Sequence, residues 1–438
     1  MSKNRLVSVA IGLLALAPRA SAAEDEFRVV SLGSSATLFQ IGREATTNVV
    51  VLASRRGLVV VDTGVLPSRA AALRAAIERE LGRKDFAYVV NTHVHFDHIG
   101  GNQAFADVPI VGHQNAVREM SRWYGSPFAL QAFLQSRAGY QAGLEEDLKK
   151  AAPGSEEEAR LREQKVENGI LVDDVRSGRF VPTRPRILFN DRMTLDLGDL
   201  TLNLVTFGRD HTESDVLVHV PQFELLLVGD LFSRDWFPSF QSPASDVPRW
   251  FQVLDSLLSE GGGVKRVLSG HGDAMTGDEF RGQVAYLRGV WNAVAKARTE
   301  GQSLASTQDR LPFEKAFPPA SREAGLPGAR QQHLSNVETA WRIQSESPVV
   351  PFVQGAAARL ERFPGGGSRC EGRLSWPRSS SFSWPSRARS WPARSRSSSS
   401  RPSISSPWRP SACTRSTTSR NPSIRGASRN RWTVYGST

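Results

Sequence analysis

The sequence predicts an α/β fold whose functional site lies at the carboxyl ends of its strands. Short apolar runs rich in β-branched residues alternate with amphipathic segments, a pattern typical of strands and helices that pack in layers. Several apolar runs also end directly in polar loops that contain His or Asp. Because α/β proteins place their sites at such strand ends, these loops are the candidates for function.

The first 22 residues resemble a secretory signal peptide. Lys3 and Arg5 supply the charged start, residues 6–17 are apolar, and residues 20–22 read Ala-Ser-Ala, a typical cleavage site. The apolar stretch is too short for a permanent membrane span, although an uncleaved anchor stays an alternative. We therefore expect a mature protein that begins near Ala23, is secreted or periplasmic, and has no membrane attachment after cleavage.

Four β-rich runs open the domain, and a helix follows them. The runs cover residues 27–30, 36–40, 48–52 and 58–61, the helix covers about 68–81, and a further apolar strand covers 86–90. Asp62 directly follows the fourth run. It is predicted either to orient the neighbouring polar loop or to cap the helix, and the residues favour neither role.

The polar loop at 91–102 carries three imidazoles and one carboxylate within six residues. Side chains repeat every second residue at the end of an extended segment, so His93 and His95 can point the same way. The turn that follows brings Asp97 and His98 towards a second point nearby. Imidazole and carboxylate together suit zinc or a neighbouring first-row metal better than calcium or magnesium.

Two glycines, Gly100 and Gly101, are expected to supply the unusual dihedral angles of a tight exit from this loop. Beyond them, residues 108–111 are predicted to form a short strand. Because Pro109 has no backbone N–H, this strand is expected either to begin after Pro109 or to lie at the edge of a sheet. A helix is predicted from His113 to Met120.

Residues 123–182 interrupt the β pattern. Helices are predicted at 129–140, 144–151 and 156–168, with aromatic side chains along one side. These helices could form a lid that shapes a substrate pocket, or the aromatics could simply pack the insertion onto the domain. We expect a mixture in which packing dominates.

The β pattern resumes at residue 187, and three more polar loops follow strands. Strands are predicted at 187–189, 193–197, 200–205, 216–220, 225–228 and 264–268, and helices at 247–258 and 277–299. His211, Asp230 and His271 each follow an apolar strand and lie close to a Gly. The histidines that lack ligand spacing, and to which we assign structural roles, are His113, His219 and His333.

The H-x-H-x-D-H motif at 93–98, followed in order by His211, Asp230 and His271, resembles the signature of the metallo-β-lactamase superfamily over about residues 28–345. The resemblance implies a four-layer αββα sandwich over residues 23–348, with a helical insertion at about 123–182. It also implies a dinuclear site with two Zn ions, or Fe or Mn instead. One ion would take His93, His95 and His211, the other would take Asp97, His98 and His271, and Asp230 would bridge them.

The resemblance further implies a hydrolase. A metal-bridging hydroxide would attack the carbonyl of a lactone, thioester, β-lactam or related ester or amide, and Asp97 would move the proton. Residues 1–363 contain no Cys, which excludes the family members with a thiolate ligand, and Asp230 favours a glyoxalase II-like or lactonase-like site. A non-enzymatic metal-binding or accessory protein with the same fold is the alternative.

Side chains near these motifs bear on the substrate. Arg209 could hold a substrate carboxylate or be an ordinary surface residue, and we see no Arg/Lys cluster suited to phosphate in the loops. Trp236 and Phe237, with the aromatics at 123–140, would make the pocket wall partly apolar. A small-molecule acyl substrate is therefore the expected partner.

The basic character of the chain is confined to its C-terminal part. Residues 364–438 contain fourteen Arg and one acid, a net charge of +13, whereas the whole chain carries +11, which leaves −2 for residues 1–363. The folded domain is therefore not predicted to bind nucleic acid. This Ser/Arg/Pro-rich tail, which holds both Cys370 and Cys413, is expected to be disordered or the product of an out-of-frame reading.

Overall fold

The computed structural model describes residues 27–43, 47–259, 263–317, 322–326 and 328–346. The predicted signal peptide at 1–22 and the predicted tail at 364–438 lie outside the described residues. Within those ranges, no helix combines the length and the apolar character that crossing a membrane requires.

The first sheet contains seven strands that lie side by side in chain order. They are β1 (Phe27–Gly33), β2 (Ala36–Ile41), β3 (Thr47–Ser54), β4 (Gly57–Val61), β5 (Phe86–Val90), β6 (Ile110–His113) and β7 (Ile187–Phe189). The first four strands pair antiparallel, and β4 to β7 run parallel. The parallel half therefore delivers several strand ends to one edge.

The second sheet contains six strands in the order β13-β12-β11-β10-β9-β8. They are β8 (Arg192–Asp196), β9 (Thr201–Val205), β10 (Leu217–Val220), β11 (Leu225–Leu227), β12 (Arg266–Leu268) and β13 (Met275–Thr276). Only the pair of β11 and β12 is parallel among these neighbours. Their carboxyl ends consequently lie next to each other.

Ten α-helices accompany the sheets in the described ranges. They are α1 (Ala70–Leu81), α2 (Phe96–Ile99), α3 (Asn115–Tyr124), α4 (Pro127–Leu148), α5 (Glu156–Arg176), α6 (Val247–Leu258), α7 (Gly277–Thr299), α8 (Leu304–Arg310), α9 (Phe313–Ala316) and α10 (Ala329–Glu346). Helix α7 begins with a capping box in which the side chains of Thr276 and Glu279 each bond the other's backbone N–H.

Two sheets packed face to face, with helices outside them, form the main body of the domain. Leu52, Val59, Leu202 and Val218, from both sheets, are fully buried in the core between the sheets. Helix α1 packs Leu73 and Ile77, four residues apart, against the opposite face of the first sheet. On the second sheet, α6 and α7 bury a group of large aromatic side chains that includes Trp250 and Phe280. The predicted αββα sandwich is confirmed.

The helical insertion is simpler than its sequence suggests. The two helices predicted at 129–140 and 144–151 form one helix, α4, because Gly139 and Gly143 keep helical geometry and have open space around them. Each Gly costs a helix about 1 kcal/mol relative to Ala, so two need not end it, and α4 also packs along α5. Helix α5 likewise continues to Arg176, beyond the predicted end at Asn168.

The prediction of a helix that begins at His113 is wrong. His113 is the last residue of strand β6, and α3 begins at Asn115. The Nε2 atom of His113 lies 3.0 Å from the carbonyl oxygen of Asn190, and its Nδ1 accepts a hydrogen bond from the Asn115 N–H. The ring therefore joins the end of one strand to the start of a helix.

Candidate metal centre

The ends of four strands bring the predicted ligand side chains together. The loop with His93 follows β5, and the loop with His211 follows β9. Asp230 and His271 follow β11 and β12, and they become neighbours because those two strands are parallel and adjacent. An isolated antiparallel bridge between Thr47 and His271 connects this edge to the first sheet.

Two groups of side chains could each hold a metal ion. The first is His93, His95, His211 and Asp230, and its ligand atoms lie within 4.8 Å of one another. His95 Nδ1 is 3.2 Å from His93 Nε2 and 2.8 Å from His211 Nε2. Three ring nitrogens thus lie close together, in the group that the resemblance implied for the first ion.

The second group is Asp97, His98, Asp230 and His271, again with ligand atoms within 4.8 Å of one another. Asp97 Oδ2 lies 3.2 Å from His271 Nε2 and 3.6 Å from His98 Nε2. Asp230 belongs to both groups. All seven predicted ligands therefore meet at one edge of the sandwich, whereas His113, His219 and His333 belong to neither group.

The imidazoles of the centre differ in their proton affinity. Burial lowers the pKa of His93, His95 and His211, and it brings the pKa of His95 to about 3. Burial also acts to lower the pKa of His271, but the Asp230 and Asp97 carboxylates outweigh it and raise this pKa to about 10. The first three rings are thus neutral at pH 7, the form that binds metal, while His271 holds a proton that a metal ion would displace.

The charges and the unpaired polar atoms of the centre suit a bound cation. Burial acts to raise the pKa of Asp97, but His98 and His271 outweigh it and hold this pKa below its ordinary value. Two buried atoms, His98 Nε2 and Asp230 Oδ1, have no hydrogen-bond partner among the described residues. An unsatisfied buried polar atom costs about 1–3 kcal/mol, which a bound cation would offset. With nitrogen and oxygen donors only, the set fits zinc or a similar metal.

Asp62 orients the second group. Its carboxylate lies 2.9 Å from His98 Nδ1 and accepts hydrogen bonds from the Thr92 N–H (2.8 Å) and the Thr92 hydroxyl (2.6 Å). Thr92 Oγ1 in turn lies 3.1 Å from His93 Nδ1. Asp62 also has a φ of 61°, a conformation uncommon outside glycine. No described helix begins at Asp62, so of its two predicted roles the geometry matches the orienting one.

Gln241 orients the first group, and the sequence analysis missed it. Its Oε1 lies 2.5 Å from His211 Nδ1, and its Nε2 donates to the Asp230 carbonyl oxygen at 2.7 Å. The Gln241 N–H donates to Asp210 Oδ1 at 3.1 Å. The contact fixes the His211 tautomer that leaves Nε2 for a metal. Gln241 lies in an irregular loop without a motif, so no sequence signal marked it.

Close backbone approach explains the glycines here. A Cβ on Gly270 would lie 2.4 Å from both Asp230 Oδ1 and the Cε1 of His98, so any side chain would displace both residues. At Gly100 and Gly101 the predicted dihedral role is wrong, since their φ angles are −57° and −88°. A Cβ there would instead collide with the carbonyl oxygens of Val65 and Thr63.

Aromatic side chains line two sides of the centre. The Trp123 ring stacks on His95 with centroids 5.4 Å apart, and the Trp236 ring lies 5.8 Å from His271. Phe237, predicted to line the pocket, is instead buried against Tyr286, Phe313 and Phe317. In the insertion, Tyr124 and Phe133 pack in a core with Phe180. These two aromatic side chains therefore hold the insertion together, whereas Trp123 contacts a candidate ligand.

Arg209, two residues before His211 in the chain, already has a partner. Its Nη2 is 2.8 Å from Glu213 Oε1, and its side chain is 45% exposed. Arg118 and Arg122 of α3 reach the same carboxylate. The sequence did not reveal this grouping, because Arg209 lies about 90 positions after Arg118 and Arg122.

Comparison with known proteins agrees with this geometry. Residues 42–271, just over half of the chain, match the family described as the metallo-beta-lactamase superfamily. A curated relative, "Metallo-beta-lactamase type 2" of Bacillus cereus, is 24% identical over 233 residues, which cover 53% of this chain and 69% of the relative.

Two solved structures are also similar to this chain. A metallo-beta-lactamase from Pontibacter korlensis is 17% identical with a TM-score of 0.39, over 57% of this chain and 94% of that one. A double mutant of the sec-alkyl sulfatase PisA1 is 17% identical with a TM-score of 0.46, over 77% of this chain and 52% of that one.

Proposed function

The chain belongs to the metallo-beta-lactamase superfamily, and on that premise we propose that it is a dinuclear, zinc-dependent hydrolase of small acyl compounds. The proposed substrates are lactones, thioesters, β-lactams and related esters or amides. Because the Bacillus cereus relative is named a metallo-beta-lactamase, β-lactams are among the first to test. Nucleic acid is not a proposed partner of the domain.

The position of one oxygen atom, Asp230 Oδ2, carries this proposal. It lies 3.8 Å from His93 Nε2 and 3.6 Å from His211 Nε2 in the first group. It also lies 3.4 Å from His98 Nε2 and 3.3 Å from His271 Nε2 in the second group. A carboxylate that faces both groups at similar distances suits a shared ligand of two ions.

The first group would hold one ion and the second group the other, with Asp230 common to both. When bound, two zinc ions would polarise a carbonyl oxygen and lower the pKa of a coordinated water towards roughly 7. The chain's own part is to orient these ligands, through Asp62 on His98 and through Gln241 on His211.

Asp97 is the proposed catalytic carboxylate. It is half-buried, and its lowered pKa means that it is ionised at neutral pH. It can therefore accept a proton from the attacking water and donate it to the leaving group of the substrate. Trp123 and Trp236, on two sides of the centre, would give the substrate a partly apolar surface.

Metal content tests the dinuclear part of the proposal. Protein purified without chelator should contain close to two equivalents of zinc or iron per chain, measured by elemental analysis. Asp230→Asn should lose the second equivalent together with activity, whereas His333→Ala, remote from the centre, should keep both metals. A wild-type value near one under metal-replete conditions would contradict the proposal.

A substrate panel tests the acyl part. We expect kcat/KM for a lactone, a thioester or a β-lactam to exceed that for bis-p-nitrophenyl phosphate at the same pH and zinc concentration. Faster cleavage of the phosphodiester than of all three acyl compounds would contradict the acyl assignment. Two bound metals without turnover of any compound would favour a metal-binding or accessory protein instead.

We also propose that the mature protein works outside the cytoplasm, either secreted or periplasmic. The charged start, the apolar stretch and the Ala-Ser-Ala site of residues 1–22 support this location. Expression in a bacterial host followed by N-terminal sequencing of the periplasmic fraction tests it. A mature chain that still begins at Met1 would contradict it.

A further inference from the structure

Helix α10 bonds the backbone of the loop that carries Gln241. This loop, residues 233–245, lies between β11 and α6 and contains no helix or strand, and we refer to it as the support loop. The side-chain amide of Asn336 on α10 accepts a hydrogen bond from the Phe240 N–H at 3.0 Å. It also donates one to the Pro238 carbonyl oxygen at 2.9 Å. Asn336 is fully buried, so both bonds are shielded from water.

Two consecutive N–H groups of the support loop are held by different parts of the molecule. The Phe240 N–H bonds Asn336. The next N–H, that of Gln241, bonds Asp210 Oδ1 at 3.1 Å, and Asp210 directly precedes the candidate ligand His211. The backbone from which the Gln241 side chain extends is therefore held by α10 and by the His211 loop together.

Asn336 supplies most of the hydrogen bonds that hold this backbone. Among the described residues, the backbone of residues 236–241 makes three hydrogen bonds, and two of them go to Asn336. The Phe237 ring adds contacts with Phe313 and Phe317. Apolar contacts have no preferred direction, whereas hydrogen bonds do. The orientation of the backbone next to Gln241 thus depends on Asn336 more than on the apolar packing.

The support loop positions an amide that contacts two candidate ligands. Gln241 Oε1 lies 2.5 Å from His211 Nδ1, and Gln241 Nε2 donates to the Asp230 carbonyl oxygen at 2.7 Å. A ligand ring depends on such a partner for its tautomer and its orientation. A shift of the backbone at Gln241 would therefore move this amide away from both residues.

We propose that Asn336 is a positioning residue of the candidate metal centre, and that it acts on His211 through the support loop and Gln241. This inference rests on the metal-dependent function proposed above. Asn336 lies beyond residues 42–271, which match the family, so this support comes from a part of the chain outside the match. Helix α10 thus contributes to the geometry of the centre as well as packing against α7.

Replacement of Asn336 by leucine tests the proposal, because leucine has a similar size and no hydrogen-bonding group. We expect Asn336→Leu to weaken metal binding at the group that contains His211 about tenfold, the lower end of the effect of losing a direct partner of a ligand. Competition with a chromophoric chelator measures the affinity. The matched control is Gln344→Leu, which removes a buried amide of the same helix that donates to the Trp291 carbonyl oxygen, and it should keep the affinity.

A double-variant cycle separates action through Gln241 from a general loosening of the fold. If Asn336 acts through Gln241, adding Asn336→Leu to Gln241→Leu should weaken metal binding no further. Two reductions in affinity that multiply would overturn the inference. So would an affinity of Asn336→Leu equal to that of the Gln344→Leu control.

The tautomer of His211 gives a readout that needs neither metal nor substrate. In metal-depleted wild-type protein at pH 8, nitrogen NMR should show the His211 proton on Nδ1, where Gln241 Oε1 accepts it. We expect both tautomers in Asn336→Leu, as in Gln241→Leu, and the Nδ1–H tautomer alone in Gln344→Leu. A mixture already present in the wild type, or none in folded Asn336→Leu, would overturn the inference.

Two further points keep the test decisive. If Asn336→Leu does not fold, the smaller variant Asn336→Ala is judged by the same outcomes. A protein that binds two metal ions but cleaves none of the acyl compounds would contradict the proposed hydrolase alone. In that case the affinity and the tautomer still decide whether Asn336 positions His211.

Discussion

Gln241 and Asp62 show how much of the centre depends on side chains outside the ligand motifs. Each holds the Nδ1 side of one histidine, Gln241 on His211 and Asp62 on His98, and so directs Nε2 of that ring towards a candidate metal position. The two supports differ chemically, since Gln241 offers a neutral amide and Asp62 a carboxylate. Such partners fix both the tautomer and the orientation of a ligand ring.

We predict that Gln241→Leu weakens metal binding about 10- to 100-fold at the group that contains His211. The leucine removes the acceptor for His211 Nδ1 and the donor to the Asp230 carbonyl oxygen, so both residues lose their orientation. Competition with a chromophoric chelator measures the affinity.

The matched control is Gln344→Leu, because Gln344 is a buried glutamine whose amide bonds the Trp291 carbonyl oxygen far from the ligand groups. If Gln241→Leu binds metal as tightly as the control does, Gln241 is not a positioning residue.

At the scale of elements, the insertion is tied to the centre by α3 and α5. Helix α3 places Trp123 on His95, and α5 places Glu167 in the electrostatic field of Asp97 and His271. Burial, followed by the nearby Glu163, raises the pKa of Glu167 to about 7. Because the Glu167 carboxyl changes its protonation state near neutral pH, the stability of the packing of α5 should depend on pH.

We predict that Glu167→Gln stabilises the metal-depleted protein at pH 8 by a few degrees in Tm. The pKa of Glu167 rises from an ordinary value of 4.5 to about 7 on folding. Its contribution to stability is thus complete below pH 4.5 and is lost as the pH rises through about 7. The variant removes this loss, so the gain should be present at pH 8 and nearly absent at pH 4.5.

Thermal unfolding at a series of pH values measures this effect. Glu146→Gln serves as the control, because Glu146 is exposed on α4 and its pKa is lowered by Lys149. A gain for Glu167→Gln that does not depend on pH would show that burial of this carboxyl is not its source.

At the scale of the whole molecule, the candidate metal centre lies at the edge where the two sheets meet. The antiparallel bridge from Thr47 to His271 and the hydrogen bond from the Asn48 N–H to the Gly270 carbonyl oxygen join the sheets there. The Asn48 side chain adds bonds to the carbonyl oxygens of Ser269 and Gly272. Geometry at the ligands therefore depends on the packing of the whole sandwich.

We predict that a chain ending at Phe363 is soluble and keeps full metal content and activity. Residues 364–438 are rich in Ser, Arg and Pro and contain few aliphatic side chains, so they have little apolar surface to bury in a core. Elemental analysis and kcat/KM of the shortened chain measure this. Loss of turnover, or salt-sensitive RNA binding that only the full chain shows, would contradict it, and resequencing the coding region after Gly355 is a cheaper check.

The sequence by itself predicted the sandwich, which is confirmed, and seven candidate ligands, which the structure brings together at one edge. Strand runs such as 58–61 and 86–90 are continuous and apolar, and the candidate ligands lie in the loops that follow strands. Their order along the chain resembles the signature of the superfamily, and that resemblance implied the sandwich and the two groups of ligands. The same local signals misplaced His113, divided α4 into two helices and put Phe237 in the pocket. In each case long-range packing outweighed a local preference.

Only the tertiary structure decided which side chains support and surround the ligands. Gln241 reaches His211 across 30 residues, Asp62 reaches His98 across 36, and Arg118 meets Glu213 across 95. These contacts depend on how loops at the strand ends fold over one another, and irregular loops have no periodicity from which to read them. Several candidate metal ligands lie at a short, recognisable spacing in the sequence. The residues that orient them, such as Gln241 and Asp62, need only be close in the folded structure, and the packing of the whole chain brings them there.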